Sequence, residues 1–205
     1  MSSQENTNTN EPAGAQFQQA MALAGPRVKN KDFAQAQALF LAAAEAGHTE
    51  AAYSVGVLYA NGLGTEVDAA EAAYWYSRAA DKGHTSAMCN LAGLYEDGRG
   101  VNRDFVTAVD LYGKAAQAGN IIGIFNLGVM CENGVGLPQD HARAVAFYRV
   151  AADSGLAPAQ HNLAVMLAEG MGCAADPAAA RAWFERAASQ GYQPSTRNLA
   201  VLDAA

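Results

Sequence analysis

No stretch of the sequence is long and apolar enough to cross a membrane, since a spanning helix needs about 18 or more mostly apolar residues. The opening segment, MSSQENTNTNEP, has neither the charged start nor the apolar run of a secretion signal. Lysines and arginines are nowhere clustered and the formal net charge is −7, which leaves no electrostatic footprint for a nucleic-acid backbone. We therefore expect a cytoplasmic protein without membrane insertion and without a nucleic-acid partner.

Cysteines and catalytic motifs are also scarce. The three cysteines are Cys89, Cys131 and Cys173, and none forms a Cys-x-x-Cys pair, which favours free thiols over a disulfide or a metal site. The motifs G-x-x-x-x-G-K-[ST], H-E-x-x-H and S-x-x-K do not occur. The sequence thus predicts a non-enzymatic protein with no catalytic residue, no metal and no cofactor.

What the sequence does contain is a repeat with a period of 36 residues. Glycines and aspartates both keep this period over most of the chain. The phased glycines are Gly47, Gly83, Gly119, Gly155 and Gly191, and the phased aspartates are Asp32, Asp68, Asp104, Asp140 and Asp176. Such a pattern indicates structural units that are each too small to bury their own apolar face, so we expect the units to stack.

The first half of each repeat predicts a helix, which we call helix A. In residues 83–118, for example, Ala87, Leu91 and Leu94 form the apolar stripe of an amphipathic helix. A pair of glycines follows, here Gly98 and Gly100. Because glycine readily adopts the left-handed conformation of helix ends and tight turns, we expect helix A to end there.

The second half predicts another helix, helix B, which begins at the phased aspartate as its N-cap. Asp176 is followed by Pro177 at the favoured first helical position, and Asp68 has Glu71 three residues later in a capping box. Alanines and one aromatic residue per turn, such as Trp75, form its apolar stripe. We interpret these aromatic residues as packing residues.

This pattern, as in AAYSVGVLYANGLG followed by DAAEAAYWYSRAADKG, closely resembles the Sel-one-like repeat (SLR) family. The resemblance implies an all-α fold, a right-handed α/α superhelical solenoid of SLR/TPR-like helix pairs. It also implies that helix A lines the concave face. The four full repeats are 47–82, 83–118, 119–154 and 155–190.

The two ends of the chain depart from the full repeat. Residues 13–46 predict a degenerate capping repeat, and residues 191–205 predict a half repeat that contains helix A alone. The first 12 residues are polar, and we expect them to be a disordered tail. Residues 13–205 would then form a single repeat domain.

Candidate binding residues lie on helix A outside its core stripe. Counting from the phased glycine, the eighth position holds Ser54, Asn90, Asn126, Asn162 and Asn198. A carboxamide both donates and accepts a hydrogen bond, so such a ladder would suit the backbone of an extended peptide. The alternative is that each asparagine bonds the neighbouring repeat.

The seventh position varies, as partner specificity would require. It holds Tyr53, Cys89, Phe125, His161 and Arg197, and aromatic and arginine side chains are common interface anchors. Alternatively, Tyr53 and Phe125 pack against adjacent helices. His161 has no second ligand at metal-binding spacing on its helix, so we interpret it as an ordinary histidine.

Carboxylates are frequent near the end of helix A, at Glu96, Asp97, Glu132 and Glu169. They face the negative end of the helix dipole, which costs about 0.3–1 kcal/mol each. Either a basic segment of a partner offsets this cost, or the carboxylates serve solubility.

We therefore predict a non-catalytic protein–protein interaction scaffold or adaptor. It would bind a peptide or protein segment in the groove lined by the helix A faces. If the carboxylates at the end of helix A contact the partner, this segment would be basic. The predicted protein-binding residues are Tyr53, Asn90, Asn126, Phe125, His161, Asn162, Arg197, Glu96, Asp97 and Glu132. The alternatives are an immunity-type inhibitor of a toxin or hydrolase and, after it, a hydrolase.

Overall fold

The protein is helical throughout the part of the chain that the structure describes. The structure is a computed structural model that describes residues 10–203, and this range contains eleven helices and no strand. The helices are α1 (Asn10–Ala24), α2 (Phe33–Glu45), α3 (Thr49–Asn61), α4 (Ala69–Ala80), α5 (Thr85–Asp97), α6 (Phe105–Gln117), α7 (Ile121–Asn133), α8 (His141–Asp153), α9 (Ala157–Glu169), α10 (Pro177–Ser189) and α11 (Gln193–Asp203).

The helices alternate between the two predicted kinds. Odd-numbered helices are helix A and even-numbered helices are helix B of successive repeats. The chain divides into two compact units, an N-terminal unit (Met1–Asp104) and a C-terminal unit (Phe105–Ala205). Within each unit, consecutive helices pack against one another. That residues 13–205 form one repeat domain stays a prediction.

Both ends of the described chain are helical. Helix α1 begins at Asn10, before the expected start of the capping repeat at residue 13. The rest of the predicted disordered tail, residues 1–9, lies outside the described residues. Helix α11 supplies the helix A predicted for the C-terminal half repeat.

Four of the phased aspartates cap helix B as predicted. Asp140, for example, accepts a hydrogen bond from the backbone N–H of Arg143 at 2.9 Å, and Asp32, Asp68 and Asp176 do the same at their helices. Helix A also has N-caps, which were not predicted from the sequence. The imidazole Nδ1 of His84 accepts from the N–H of Ala87 at 3.0 Å, and His48 and Asn120 cap α3 and α7 in the same way.

The glycine pair after helix A has two distinct uses. The first glycine, such as Gly134 with φ 67°, ends the helix in the left-handed conformation. The second also has a positive φ, and it touches the start of helix B one repeat earlier. A Cβ on Gly136 would lie 2.4 Å from the carbonyl oxygen of Phe105, and one on Gly172 would lie 2.3 Å from the carbonyl carbon of His141. This glycine therefore allows neighbouring repeats to pack closely.

The predicted stripes of both helices are buried. Ala87, Leu91 and Leu94 lie in the core of the N-terminal unit together with Trp75. In the C-terminal unit Tyr148 is completely buried among alanines of α8 and residues of α9. Small alanines let the helices approach, and one aromatic ring fills the remaining space.

Candidate functional site

The aromatic residues at the seventh position lie between successive repeats. The ring of Tyr53 on α3 stacks on the imidazole of His84, with centroids 4.3 Å apart and planes at 21°. Phe17 on α1 stacks on His48 in the same register, at 4.5 Å and 19°. The two histidines thus cap helix A and also cover the aromatic residue of the preceding repeat.

His161 lies in the equivalent place in the C-terminal unit. Its Nδ1 is 2.9 Å from the hydroxyl oxygen of Ser195, which is fully buried. The rings of Phe184 and Tyr192 also contact it, each with its centroid 5.4 Å from that of the imidazole. Burial lowers the pKa of His161 below its ordinary value of 6.5, because the charged imidazolium loses its hydration.

Three predicted site residues meet at Tyr148. The hydroxyl of Tyr148 donates to a carboxylate oxygen of Glu132 at 2.5 Å, and the side chain of Asn162 hydrogen-bonds with the same hydroxyl. Because the hydroxyl proton is given to Glu132, Asn162 is the donor in this second bond. Phe125 packs on the Tyr148 ring at 5.8 Å. Burial first, and then the bond to Glu132, raise the pKa of Tyr148 far above its usual range.

A similar contact joins two repeats in the N-terminal unit. The side chain of Asn90 hydrogen-bonds with the hydroxyl of Tyr76, and burial raises the pKa of Tyr76 to about 12. Asn90 and Asn162 therefore each bond the preceding repeat, which is the second of the two roles considered for the asparagine ladder. Their part in binding a partner stays a prediction.

The remaining predicted binding residues take no part in the contacts at Tyr148 and Tyr76 described above. Arg197 is exposed, and Asn126 and Glu96 are half-buried. Asp97 is exposed and pairs with Arg99, with 3.2 Å between Oδ2 and Nε. None of these contacts gathers the acidic residues into one cluster.

Two recesses open on helix A faces, one in each unit. The N-terminal recess has a volume of about 370 Å³ and lies among α1, α2 and α3, and the C-terminal recess has about 190 Å³ and lies among α9, α10 and α11. Residues that line the N-terminal recess include Met21, Ala24, Lys31, Phe40, Glu50, Tyr53, Ser54, Val57 and Leu58. Those that line the C-terminal recess are Val165, Ala168, Glu169, Phe184, Asn198, Val201 and Leu202.

Two residues at the candidate positions line one of these recesses, and their role in binding stays a prediction. Tyr53 and Ser54, at the seventh and eighth positions of helix A, line the N-terminal recess. Apolar wall residues such as Val57 and Ala168 also lie on helix A outside its core stripe, but they were not named as binding residues because they carry no polar or aromatic group. One signal was present in the sequence: the position held by Tyr76 and Tyr148 in inner repeats holds phenylalanine at Phe40 and Phe184.

A further cleft of about 460 Å³ lies on the helix B side of the C-terminal unit. Its lining includes Val109, Phe147, Val150 and Arg143 from α6 and α8. It contains none of the predicted site residues.

Between residues 10 and 203 no group of three or more His, Cys, Asp or Glu side chains is placed to hold a metal ion. No helix in the same range has the length and apolarity needed to span a bilayer. Cys89 and Cys131 are buried thiols, and desolvation raises the pKa of both, that of Cys89 to about 11.

The alternating helices and the repeated caps define a helical repeat protein. The chain belongs to the Sel1 repeat family, whose repeat matches residues 17–48, 49–84, 85–120, 121–156 and 157–192. The first of these matches falls on the copy predicted to be a degenerate cap. No protein of curated function is significantly similar to the chain in sequence.

Solved structures of related proteins have the same fold. A Sel1 repeat protein from Oxalobacter formigenes is 27% identical with a TM-score of 0.84, over 94% of this chain and 76% of that one. A protective antigen with an SLR fold from uropathogenic Escherichia coli is 30% identical with a TM-score of 0.51, over 93% of this chain and 50% of that one. An immunity protein from Pseudomonas aeruginosa is 26% identical with a TM-score of 0.59, over 93% and 69%. These findings confirm the predicted family and the fold class, an all-α solenoid of helix pairs.

Proposed function

We propose that this chain is a non-catalytic interaction module that binds a peptide or protein segment in a groove lined by its helix A faces. Sel1 repeats generally mediate protein interactions. The observation that carries the proposal is the N-terminal recess, where Tyr53 and Ser54 line an open and mostly apolar space. Variable side chains beside an apolar recess provide both affinity and specificity.

The magnitudes favour apolar anchoring over a purely polar grip. Each net hydrogen bond contributes about 1 kcal/mol, and exposed ion pairs contribute less than about 1 kcal/mol. A micromolar complex needs about 8 kcal/mol. Burying one large apolar side chain contributes about 1.5–3 kcal/mol. Apolar side chains of the partner, buried in recesses on the helix A faces, would therefore supply the binding free energy that the asparagines and carboxylates do not.

The partner that we propose is a protein with a basic segment. The chain carries a formal net charge of −7, which favours a cationic protein partner over a nucleic acid. Glu132 and Asp97 already have partners within the chain, Tyr148 and Arg99. Glu50 at the N-terminal recess is also paired, with 3.1 Å between its Oε2 and Nε2 of His84, so Glu169 at the C-terminal recess is the candidate for contact with a cation.

Affinity purification from an extract of the source organism tests this function. The wild-type chain should retain a partner after mild cross-linking, and Val57→Asp should lose it, because Val57 lines the N-terminal recess. Val67→Asp is the matched control, since Val67 is 67% exposed and lies in the loop before α4. Retention of the partner by Val57→Asp at the wild-type level would show that the helix A face is not the binding surface. Absence of any partner would contradict the interaction function itself.

An immunity-type inhibitor is the second candidate. The observation that favours it is the 26% identity to an immunity protein over 93% of this chain. If this function is right, a gene beside the one for this chain encodes a toxin or hydrolase, and co-expression of this chain restores growth. A neighbouring product that stays toxic during co-expression would rule this candidate out.

A further inference from the structure

The two recesses on the helix A faces occupy the same register of the repeat. Each wall residue of the C-terminal recess lies 144 residues, or four periods of 36, after a wall residue of the N-terminal one. Phe184 corresponds in this way to Phe40, and Ala168 to Ala24. The two units thus form equivalent recesses from side chains at corresponding positions of the repeat. Whether a repeat has such a recess therefore depends on the residue types at these positions.

The inner repeat at Tyr148 shows what fills this space. Tyr148 is the counterpart of Phe184 one period earlier, and its hydroxyl joins Glu132 to Asn162. Glu132 and Asn162 are in turn the counterparts of Ala168 and Asn198, two walls of the C-terminal recess. Hydrogen bonds from Glu132 through Tyr148 to Asn162 therefore connect the two walls in the inner repeat. In the last repeat both the hydroxyl and the carboxylate are missing, and the walls stay apart.

The same exchange leaves polar groups available at the C-terminal recess. Phe184 offers no hydroxyl, and no residue between 10 and 203 hydrogen-bonds with the Asn198 carboxamide. This carboxamide keeps a donor and an acceptor for another molecule. Glu169 lies at the C-terminal end of α9, and none of the described residues forms an ion pair with it. Its carboxylate and the negative end of the helix dipole act together on any charge nearby.

We propose that the C-terminal recess docks an extended peptide segment that inserts one aliphatic or aromatic side chain beside Phe184 and carries an adjacent lysine or arginine. The apolar walls accept the inserted side chain, Asn198 bonds the peptide main chain, and Glu169 pairs with the cation. Charge complementarity selects this occupant, because a second copy of this chain would bring a formal net charge of −7 toward Glu169. The inference rests on the proposed interaction function and names the chemistry of the partner.

A variant that transplants the inner-repeat side chains tests the recess. Ala168→Glu combined with Phe184→Tyr recreates beside Asn198 the set found at Glu132, Tyr148 and Asn162, so it should close the recess while the chain stays folded. The probe is a short synthetic peptide with a central leucine flanked by lysines. Its controls replace the leucine by serine or the lysines by glutamates. Binding to the full chain is followed by the amide signals in nuclear magnetic resonance spectra.

The leucine-lysine peptide should shift amide signals of α9, α10 and α11. Its dissociation constant should rise at least about tenfold in the double variant and with either control peptide, which corresponds to about 1.4 kcal/mol. In the reverse experiment, Glu132→Ala with Tyr148→Phe should open a corresponding recess and add shifted signals in α7 to α9. If the closing double variant fails to fold, Phe184→Tyr alone serves, since it restores only the hydroxyl toward Asn198.

Several results would overturn the recess proposal without touching the proposed function. These are equal binding by the wild-type and closed variants, shifts confined to helices outside α9–α11, and the absence of shifts with any of the peptides. Signals that move with protein concentration alone would assign the recess to a second copy of the chain and would overturn the proposal as well. The interaction function is decided separately by whether a partner is retained from the native extract.

Discussion

At the scale of single residues, the burial of His161 links stability to pH. Because burial lowers its pKa, the folded chain binds fewer protons here than the unfolded chain does. This contribution to stability is complete above the unfolded value of about 6.5 and is lost as the pH falls through that value toward the folded one. His161→Gln keeps a hydrogen-bonding group near Ser195 and does not titrate. We expect urea unfolding to show a larger loss of stability between pH 7 and pH 5 for the wild type than for His161→Gln, and equal losses would contradict the prediction.

The cysteines offer a second prediction at this scale. Cys89 and Cys131 are buried and have raised pKa values, whereas Cys173 is partly exposed in the loop before α10. With a pKa of about 11, the thiolate fraction of Cys89 at pH 8 is about 0.1%. Iodoacetamide should therefore alkylate Cys173 first in the folded protein, and peptide mass spectrometry locates the adduct. In urea the three sites should react alike, and preferential labelling of a buried thiol in the folded protein would be the opposite result.

At the scale of elements, the second glycine of each pair joins one repeat to the next. Gly136→Ala and Gly155→Ala both place a side chain at positive φ, which costs about 1–2 kcal/mol. The added Cβ of Gly136→Ala would also meet the Phe105 backbone at 2.4 Å, while that of Gly155→Ala meets nothing within 4 Å. We expect Gly136→Ala to lower the free energy of unfolding by about 1–3 kcal/mol more than Gly155→Ala, as overpacking does. Denaturant titration measures the difference, and equal effects would mean that the loop moves away at little cost.

Some features of the elements can be predicted from the sequence and others cannot. Helix positions and the Asp140 cap follow from signals within about four residues, so the period of the sequence predicts them. The bond from Asn162 to Tyr148 joins residues of different repeats, and the sequence left its asparagine ladder with two possible roles. The C-terminal recess lies at a double exchange relative to the inner repeat, of tyrosine for Phe184 and of glutamate for Ala168. That exchange is visible in the sequence, but its consequence depends on which side chains lie across the space.

At the scale of the whole molecule, a fixed period means that a complete repeat is removable and a half repeat is not. Deleting residues 121–156 brings Asn120 directly before α9, whose own N-cap, Leu156, makes no side-chain cap bond. In the shortened chain Gly172 takes the place of Gly136. It would therefore lie against Phe105, which Gly136 contacts in the full-length chain. Because consecutive helices of each unit supply the packing, we expect the same helicity per residue by circular dichroism and a cooperative thermal transition at a lower temperature.

Deleting residues 121–138 instead puts α8 directly after α6, two helices of the same kind, and should abolish the cooperative transition. If both shortened chains lack a cooperative thermal transition, the apolar contacts would be specific to each repeat and not determined by the period.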